Sequence, residues 1–268
     1  MIPERREKRM KSFNTTAVCI PSKHYMVDLS ERVREIKKMV DAGKYFTINR
    51  ARQYGKTTTL AALKNALKDE YITISLDFQS LDNDVFEKGA TFSQALARIL
   101  IDASEFGDLV IPEKTFEALK NYSEADVNRV KMDELFRIFK RWFKDSETPV
   151  VLMIDEVDSA TNNQVFLDFL AQLREGYISR DRDGIPAFHS VILAGVRDVK
   201  YIEVNIRDDE DAREIIPWNI AADFNIDMSL SKAGIKGMLD EYEADHDTGM
   251  DTEEMAGLIR DYTNGYPF

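Results

Sequence analysis

The sequence predicts an α/β protein built on a parallel sheet covered by helices, and three stretches carry that prediction. Val150-Val151-Leu152-Met153-Ile154 is an unbroken apolar run, the pattern of a strand buried on both faces. Tyr45 to Leu60 passes from a short apolar strand through a polar turn into a helix whose Leu60, Leu63 and Leu67 recur at near-helical spacing. In Tyr71 to Asp77, Tyr71, Thr73 and Ser75 alternate with Ile72, Ile74 and Leu76, which reads as a second strand. About 70 residues separate that strand from Val150, so the connection is a crossover holding several helices rather than a hairpin.

The bulk properties narrow the field. The chain of 268 residues has room for one substantial core and a small appended domain, and its 44% hydrophobic and 31% charged content suits a soluble globular protein. A formal net charge of −12 opposes a broad surface for non-specific nucleic-acid binding. The single cysteine, Cys19, offers no disulfide framework, so a reducing cytoplasm is the expected location. No apolar run approaches the ~18–20 residues of a membrane span. Met1 to Ser12 is charged and lacks the apolar segment of a signal peptide. Residues 1–12 therefore read as an extension; its Arg5, Arg6, Lys8, Arg9 and Lys11 either touch a partner or form a frayed, solvated start.

In chain order, Phe13 to Tyr25 reads as extended or looping, broken by Pro21 and Ser22. Asp28 or Ser30 caps a helix carrying Val33, Ile36, Met39 and Val40 and ending near Gly43. That helix either begins beside a bound base or is one more core helix. Inside the crossover, Thr91 to Ala103 presents Phe92, Leu96, Ile99 and Leu100 on one side, and Asp133 to Phe143 presents Leu135, Ile138, Phe139 and Trp142. Beyond Ile154 a helix carries Val165, Phe166, Phe169, Leu170 and Leu173, and Ser190 to Ala194 forms a further strand. A last strand is expected over Ala222 to Met228, followed by helices at Lys232 to Tyr242 and Thr252 to Tyr262. The apolar ending Thr263-Asn264-Gly265-Tyr266-Pro267-Phe268 reads as a cut within a longer protein.

Two of these junctions carry chemistry. Arg52-Gln53-Tyr54-Gly55-Lys56-Thr57-Thr58 lies between strand and helix, the setting of a phosphate loop. Gly55 lets backbone N–H groups approach phosphate oxygens, and the helix start adds unpaired donors and a positive dipole end. Lys56 would reach the β- and γ-phosphates and the Thr57 hydroxyl would ligate Mg²⁺. The full pattern has a glycine five residues before Gly55, where this chain has Arg50. At the other junction Asp155 and Glu156 directly follow a buried strand, at the edge where parallel sheets bind ligands. Asp155 is read as the residue that holds Mg²⁺ and Glu156 as the base that orients an attacking water. Arg197, just past Gly195, either contacts a γ-phosphate or pairs with Asp198. Arg207 and Arg213, flanking the acidic run Asp208 to Asp211, either belong to a solvated loop, the reading favoured here, or serve a neighbouring subunit as an arginine finger. His24, His189 and His246 lack metal spacing, and no Gly-x-Ser-x-Gly elbow is present.

Taken together, Arg50 to Thr57, Ile154-Asp155-Glu156, Leu193 to Arg197, Pro217-Trp218-Asn219-Ile220-Ala221 and Asn264 to Phe268 resemble the bacterial AAA-like ATPase domain family, P-loop NTPases related to the STAND and origin-recognition branches of the AAA+ ATPases. The resemblance covers the chain from about Phe13 onward, and replacement of the first loop glycine looks like a habit of that family. It implies a five-stranded parallel sheet flanked by helices as the P-loop ATPase core (13–228), then a small helical lid (229–268) truncated at its C-terminus. It makes Arg52 to Thr58 the Walker A segment and Asp155-Glu156 the Walker B pair. It also places Pro267 of Gly265-Tyr266-Pro267 on the adenine and residues His24 to Asp28 on the other side of the base. Where STAND proteins carry Gly-Arg in that region, this chain has Tyr25-Met26-Val27-Asp28, which leaves the base contacts open.

The function that follows is an Mg²⁺-dependent ATPase that binds ATP or ADP and acts as a conformational switch, with Glu156, Lys56 and Arg197 as its catalytic set. Its partners would be the nucleotide and a protein or a missing C-terminal domain; an oligomer is possible, and nucleic acid is not supported. A second reading keeps the nucleotide but dispenses with turnover, the lid locking ADP in place. A small-molecule kinase fits less well, because Glu156 suits water activation and no arginine-rich lid is present.

Overall fold

The computed structural model describes residues 10–16, 18–161, 163–196, 199 and 218–267. In chain order these form β1 (Ser12–Phe13), β2 (His24–Tyr25), α1 (Ser30–Asp41), β3 (Tyr45–Asn49), α2 (Lys56–Leu67), β4 (Ile72–Asp77), α3 (Gly89–Glu105), α4 (Glu113–Glu124), α5 (Met132–Asp145), β5 (Val150–Asp155), α6 (Gln164–Asp183), β6 (Ser190–Gly195), α7 (Lys232–His246) and α8 (Thr252–Thr263). The chain divides into two compact units. One gathers Met1–Glu35, Arg52–Ala62 and Ile226–Phe268; the other holds Ile36–Ala51 and Leu63–Asn225.

The larger unit contains the parallel sheet, in the order β3-β6-β5-β4. Every residue of β5 and β6 is buried, as the unbroken apolar runs require of strands covered on both faces. Among the described residues this sheet has four strands where five were expected. Over Ala222 to Met228, only Ala222 pairs with the sheet, as a single parallel bridge to Phe46 through a 2.8 Å bond from its N–H to the Tyr45 carbonyl. The alternation of Asp223, Asn225 and Asp227 with Phe224, Ile226 and Met228 resembles a strand, but other contacts take up these residues. Phe224 stacks on Phe46, and Asp227 accepts both the backbone N–H and the hydroxyl of Ser229 in a turn.

Aromatic side chains fill the core of this unit. Phe92 of α3 meets Phe78, Phe86 and Phe169 at ring-centroid distances of 5.9, 5.3 and 5.4 Å, and Phe139 and Trp142 of α5 are buried in the same cluster. The crossover holds one more helix than the two named from the sequence: α4 buries Leu119 and Tyr122, and its short, polar-rich repeat hides the apolar face. Arg180 ties the end of α6 to the carbonyls of Gly43, Phe188 and His189 and lies over the rings of Tyr45 and Tyr177.

In the smaller unit, α7 and α8 pack around Ile235, Leu239 and Ala256. Their starts are capped by Ser231, which accepts the Gly234 N–H, and by Asp251, which accepts those of Glu253 and Glu254. β1 and β2 pair in parallel. Tyr25 of β2 stands edge-on to Tyr242 at 5.4 Å and donates its hydroxyl to Asp245 at 3.0 Å. Burial, then the Asp245 carboxylate, raise the Tyr25 pKa above its ordinary value.

Candidate functional site

The loop Arg52–Gly55 and the first turns of α2 lie in the smaller unit. Gln53 and Gly55 both have positive φ, 60° and 76°. For Gln53 that conformation is unfavourable by itself and marks a loop whose shape is imposed. Alternation of left-handed residues along such a loop turns successive N–H groups inward, the arrangement called an anion nest. A Cβ placed on Gly55 meets no atom within 4 Å, so the space beside that residue is open. Thr59 N–H bonds to the Gly55 carbonyl at 2.9 Å, which starts α2 without a break. Lys56 is buried, Thr57 is exposed, and Thr58 Oγ1 accepts the Cys19 N–H at 3.2 Å.

Arg50 occupies the position of the first loop glycine without adopting positive φ. Its backbone N–H bonds to the Gly195 carbonyl at 3.1 Å, and its guanidinium folds back onto the Asn49 carbonyl and over the Phe224 ring. At this position, then, the backbone is one that any residue can adopt, and the side chain has a place to lie.

The end of α8 meets the same loop. Asn264 and Gly265 are both left-handed, with φ of 51° and 72°, so the chain turns sharply out of the helix. Leu230 N–H bonds to the Gly265 carbonyl at 2.7 Å, and Tyr266 N–H to the Thr263 carbonyl at 3.0 Å. The Tyr266 hydroxyl donates to the Arg52 carbonyl, and its ring stands 5.2 Å from that of Tyr54, near perpendicular. Pro267 follows, half-buried. The sequence had singled out Pro267 in this motif and passed over Tyr266, since nothing in the chain pairs a tyrosine with a carbonyl 214 positions away.

In the larger unit the strands end together. Ile154 of β5 pairs with Leu193 of β6, Asn49 of β3 pairs with Gly195, and Asp77 of β4 pairs with Asp155. Asp155 is buried, and its Oδ1 accepts the Glu156 N–H at 2.9 Å. Glu156 is half-buried and left-handed, with φ of 52°, so the backbone turns at once after the strand. Asp158 accepts the Val196 N–H, joining the exit of β5 to that of β6. A Cβ on Gly195 would lie 2.8 Å from Asp158 Oδ2 and 2.9 Å from Val157 Cγ2, which explains the glycine there. Asp77, overlooked in the sequence because it merely closed an alternating strand, brings a second carboxylate to the strand ends beside Asp155, across a strand spacing of about 4.8 Å.

Arg52, Gln53, Tyr54, Gly55, Lys56, Thr57, Thr58 and Pro267 thus belong to one unit, and Asp155 and Glu156 to the other. Arg197, Arg207 and Arg213 lie outside the described residues. Of the region expected beside a base, Tyr25 is buried among aromatic rings and Asp28 accepts the N–H and hydroxyl of Ser30 at the start of α1. His189 packs on Tyr71 and His246 stacks on Tyr242, so both are engaged in packing. Among the described residues no helix is long and apolar enough to cross a membrane.

A family model described as an AAA-like domain matches residues 13–208. Among solved structures, the chain is similar to Cdc6p from Pyrobaculum aerophilum, with a TM-score of 0.44 and 15% identity over 80% of this chain and 48% of that one. It is also similar to the Aeropyrum pernix ORC1 protein solved in complex with DNA, with a TM-score of 0.43 and 9% identity over 82% and 50% of the two chains. A Drosophila ORC bound to AT-rich DNA and Cdc6 gives 0.36 and 14%, over 62% and 47%. The chain spans about half the length of these structures. No curated protein sequence matches it.

Proposed function

Because the chain belongs to the AAA-like domain family, we propose that it binds ATP with Mg²⁺, hydrolyses it slowly and works as a nucleotide-driven conformational switch in the bacterial cytoplasm. The observation that carries this reading is the common rim of the parallel sheet. The loop-bearing strand β3 ends at Asn49 in register with Gly195, and β5 ends in Asp155 on the far side of the same neighbouring strand. Ligands bind outside the carboxyl ends of such strands. The open space beside Gly55 and the left-handed residues around it suit a phosphate.

In this reading Arg52 to Thr58 act as the Walker A segment, with Lys56 reaching the β- and γ-phosphates. Thr57 and Asp155 would hold Mg²⁺, a hard cation that prefers a few oxygen ligands together with substrate phosphates. Bound there, the metal would neutralise charge on the phosphate oxygens. Glu156 orients a water for attack, and Arg197 senses the γ-phosphate. Residues 229–268 serve as a lid with Pro267 on the adenine, and a protein partner or further domain receives the signal.

Calorimetric titration with ATP and Mg²⁺ tests the binding. Lys56→Ala should abolish it, and undiminished affinity in that variant would end the reading. Glu156→Gln should keep binding while phosphate release falls by about 10²- to 10⁴-fold, the range for loss of a positioned base. The contact of the lid with the loop through Tyr266 favours a second version, in which the domain holds ADP and turns over only when a partner opens it. Heating the purified protein and identifying the released nucleotide by chromatography separates the two: bound ADP with no phosphate release supports the second.

A further inference from the structure

Tyr266 presents a phenol hydroxyl to a backbone carbonyl of the phosphate loop, and its own position is tightly fixed. Two successive left-handed residues, Asn264 and Gly265, turn the chain toward the loop. Gly265 is pressed so closely on Leu230 that an added Cβ would lie 2.4 Å from the Leu230 carbonyl oxygen. Arg260 donates to the Asn264 side chain at 3.0 Å, and Thr263 Oγ1 accepts the Gly265 N–H at 3.1 Å. The hydroxyl thus starts from a braced turn, not from a loose chain end.

The acceptor matters as much as the donor. The described peptide bonds are trans, and in a trans peptide the carbonyl and the next N–H lie in one plane and point in opposite directions. Holding the Arg52 carbonyl toward Tyr266 directs the Gln53 N–H away from Tyr266. Gln53 is also the non-glycine residue of the loop with positive φ. Its peptide is therefore both conformationally costly and held from outside, and the group so aimed is an N–H of the kind that contacts phosphate oxygens in such loops.

We infer that Tyr266 is a positioning residue for phosphate binding: its hydrogen bond to the Arg52 carbonyl sets the Arg52–Gln53 peptide so that the Gln53 N–H is presented to the nucleotide's phosphates. The inference rests on the nucleotide-binding reading above and adds a regulatory consequence. The end of α8 and the loop are joined through Tyr266, so displacement of the lid weakens phosphate binding, and phosphate binding in turn holds the lid, as reciprocal linkage requires.

The test uses the full chain and three probes: ADP, inorganic pyrophosphate and adenosine, each measured by competition against a fluorescent ADP. Tyr266→Phe keeps the ring beside Tyr54 and removes the hydroxyl. The variant should bind both ADP and pyrophosphate about two- to tenfold more weakly, the share of one hydrogen bond, with adenosine unchanged. A ring that merely packs on the base would leave pyrophosphate binding as in the wild type, so loss for ADP alone overturns the inference. Equal affinity of variant and wild type for all three probes also overturns it. Failure of the wild type to bind ADP at all removes the nucleotide reading itself, and the inference with it.

Discussion

The two compact units are held together by different means. In the larger one a continuous cluster of buried side chains runs from β4 and β5 through α3, α5 and α6, with Phe78, Phe92, Phe166 and Trp142 almost wholly enclosed. In the smaller one, α7 and α8 pack on Ile235, Leu239 and Ala256, and Tyr25, Val27, Val33, Leu60 and Met228 are the other buried apolar side chains among its described residues. Much of the rest consists of caps, turns and single polar contacts: Ser231, Asp251, the Asn264–Gly265 turn, Arg32 on the Met228 and Ser229 carbonyls, and Tyr266 on Arg52. Regions with few buried apolar contacts open at lower free energy than cores rich in them. The unit carrying the loop Arg52–Gly55 and the α7–α8 hairpin is thus the softer part, which suits the switch proposed above.

The largest test of this contrast is Phe92→Ala. Phe92 is fully buried and touches three other rings, so its loss should lower the unfolding free energy by about 3–5 kcal/mol in urea titrations. A cost below about 1 kcal/mol would mean that the aromatic cluster is loosely packed and that the larger unit is not the stable one.

Gly265→Ala probes the other side. The alanine would have to adopt a φ of 72° and place its Cβ against the Leu230 backbone, at a cost of about 1–3 kcal/mol. Amide-exchange protection should fall across residues 230–265 while that of β5 and β6 stays as in the wild type. An equal fall in both would show that the two regions open as one cooperative unit.

What could be read from the sequence follows the same division. Strands β3 to β6, the helices lined by Phe92, Trp142 and Phe166, and the residues closing Val150–Asp155 were legible because burial on both faces leaves an unbroken apolar run and a helix face leaves a 3.6-residue period. The short strands β1 and β2 were not, since two-residue pairings have no period. Nor was the single bridge at Ala222, where alternation imitates a strand but Asp227 closes a turn on Ser229. In the candidate site the loop residues and the Asp155–Glu156 pair were legible as motifs. The alignment of Asp77 with Asp155 depends on strand order and register, and the contact of Tyr266 with Arg52 joins distant segments through a side chain and a carbonyl; neither leaves a local mark.

Acid offers the smallest and most discriminating effect. In the smaller unit the Asp28 carboxyl is held below its usual range by the Ser30 hydroxyl and N–H, that of Asp227 by the Ser229 N–H and hydroxyl, and that of Glu243 chiefly by the Thr248 hydroxyl. A carboxyl whose pKa is lowered on folding stabilises the folded form fully above its unfolded pKa of about 4, and that contribution is lost as pH falls through the folded value. Asp227→Asn keeps an acceptor oxygen for Ser229 but has no charge to lose. At pH 6 the variant should therefore show less amide protection over residues 230–265 than the wild type, and the gap should close as the pH is lowered below about 4. A gap that stays constant down to pH 3 would mean that the turn is held by hydrogen bonds indifferent to charge; the smaller unit would then be soft because of its small core alone.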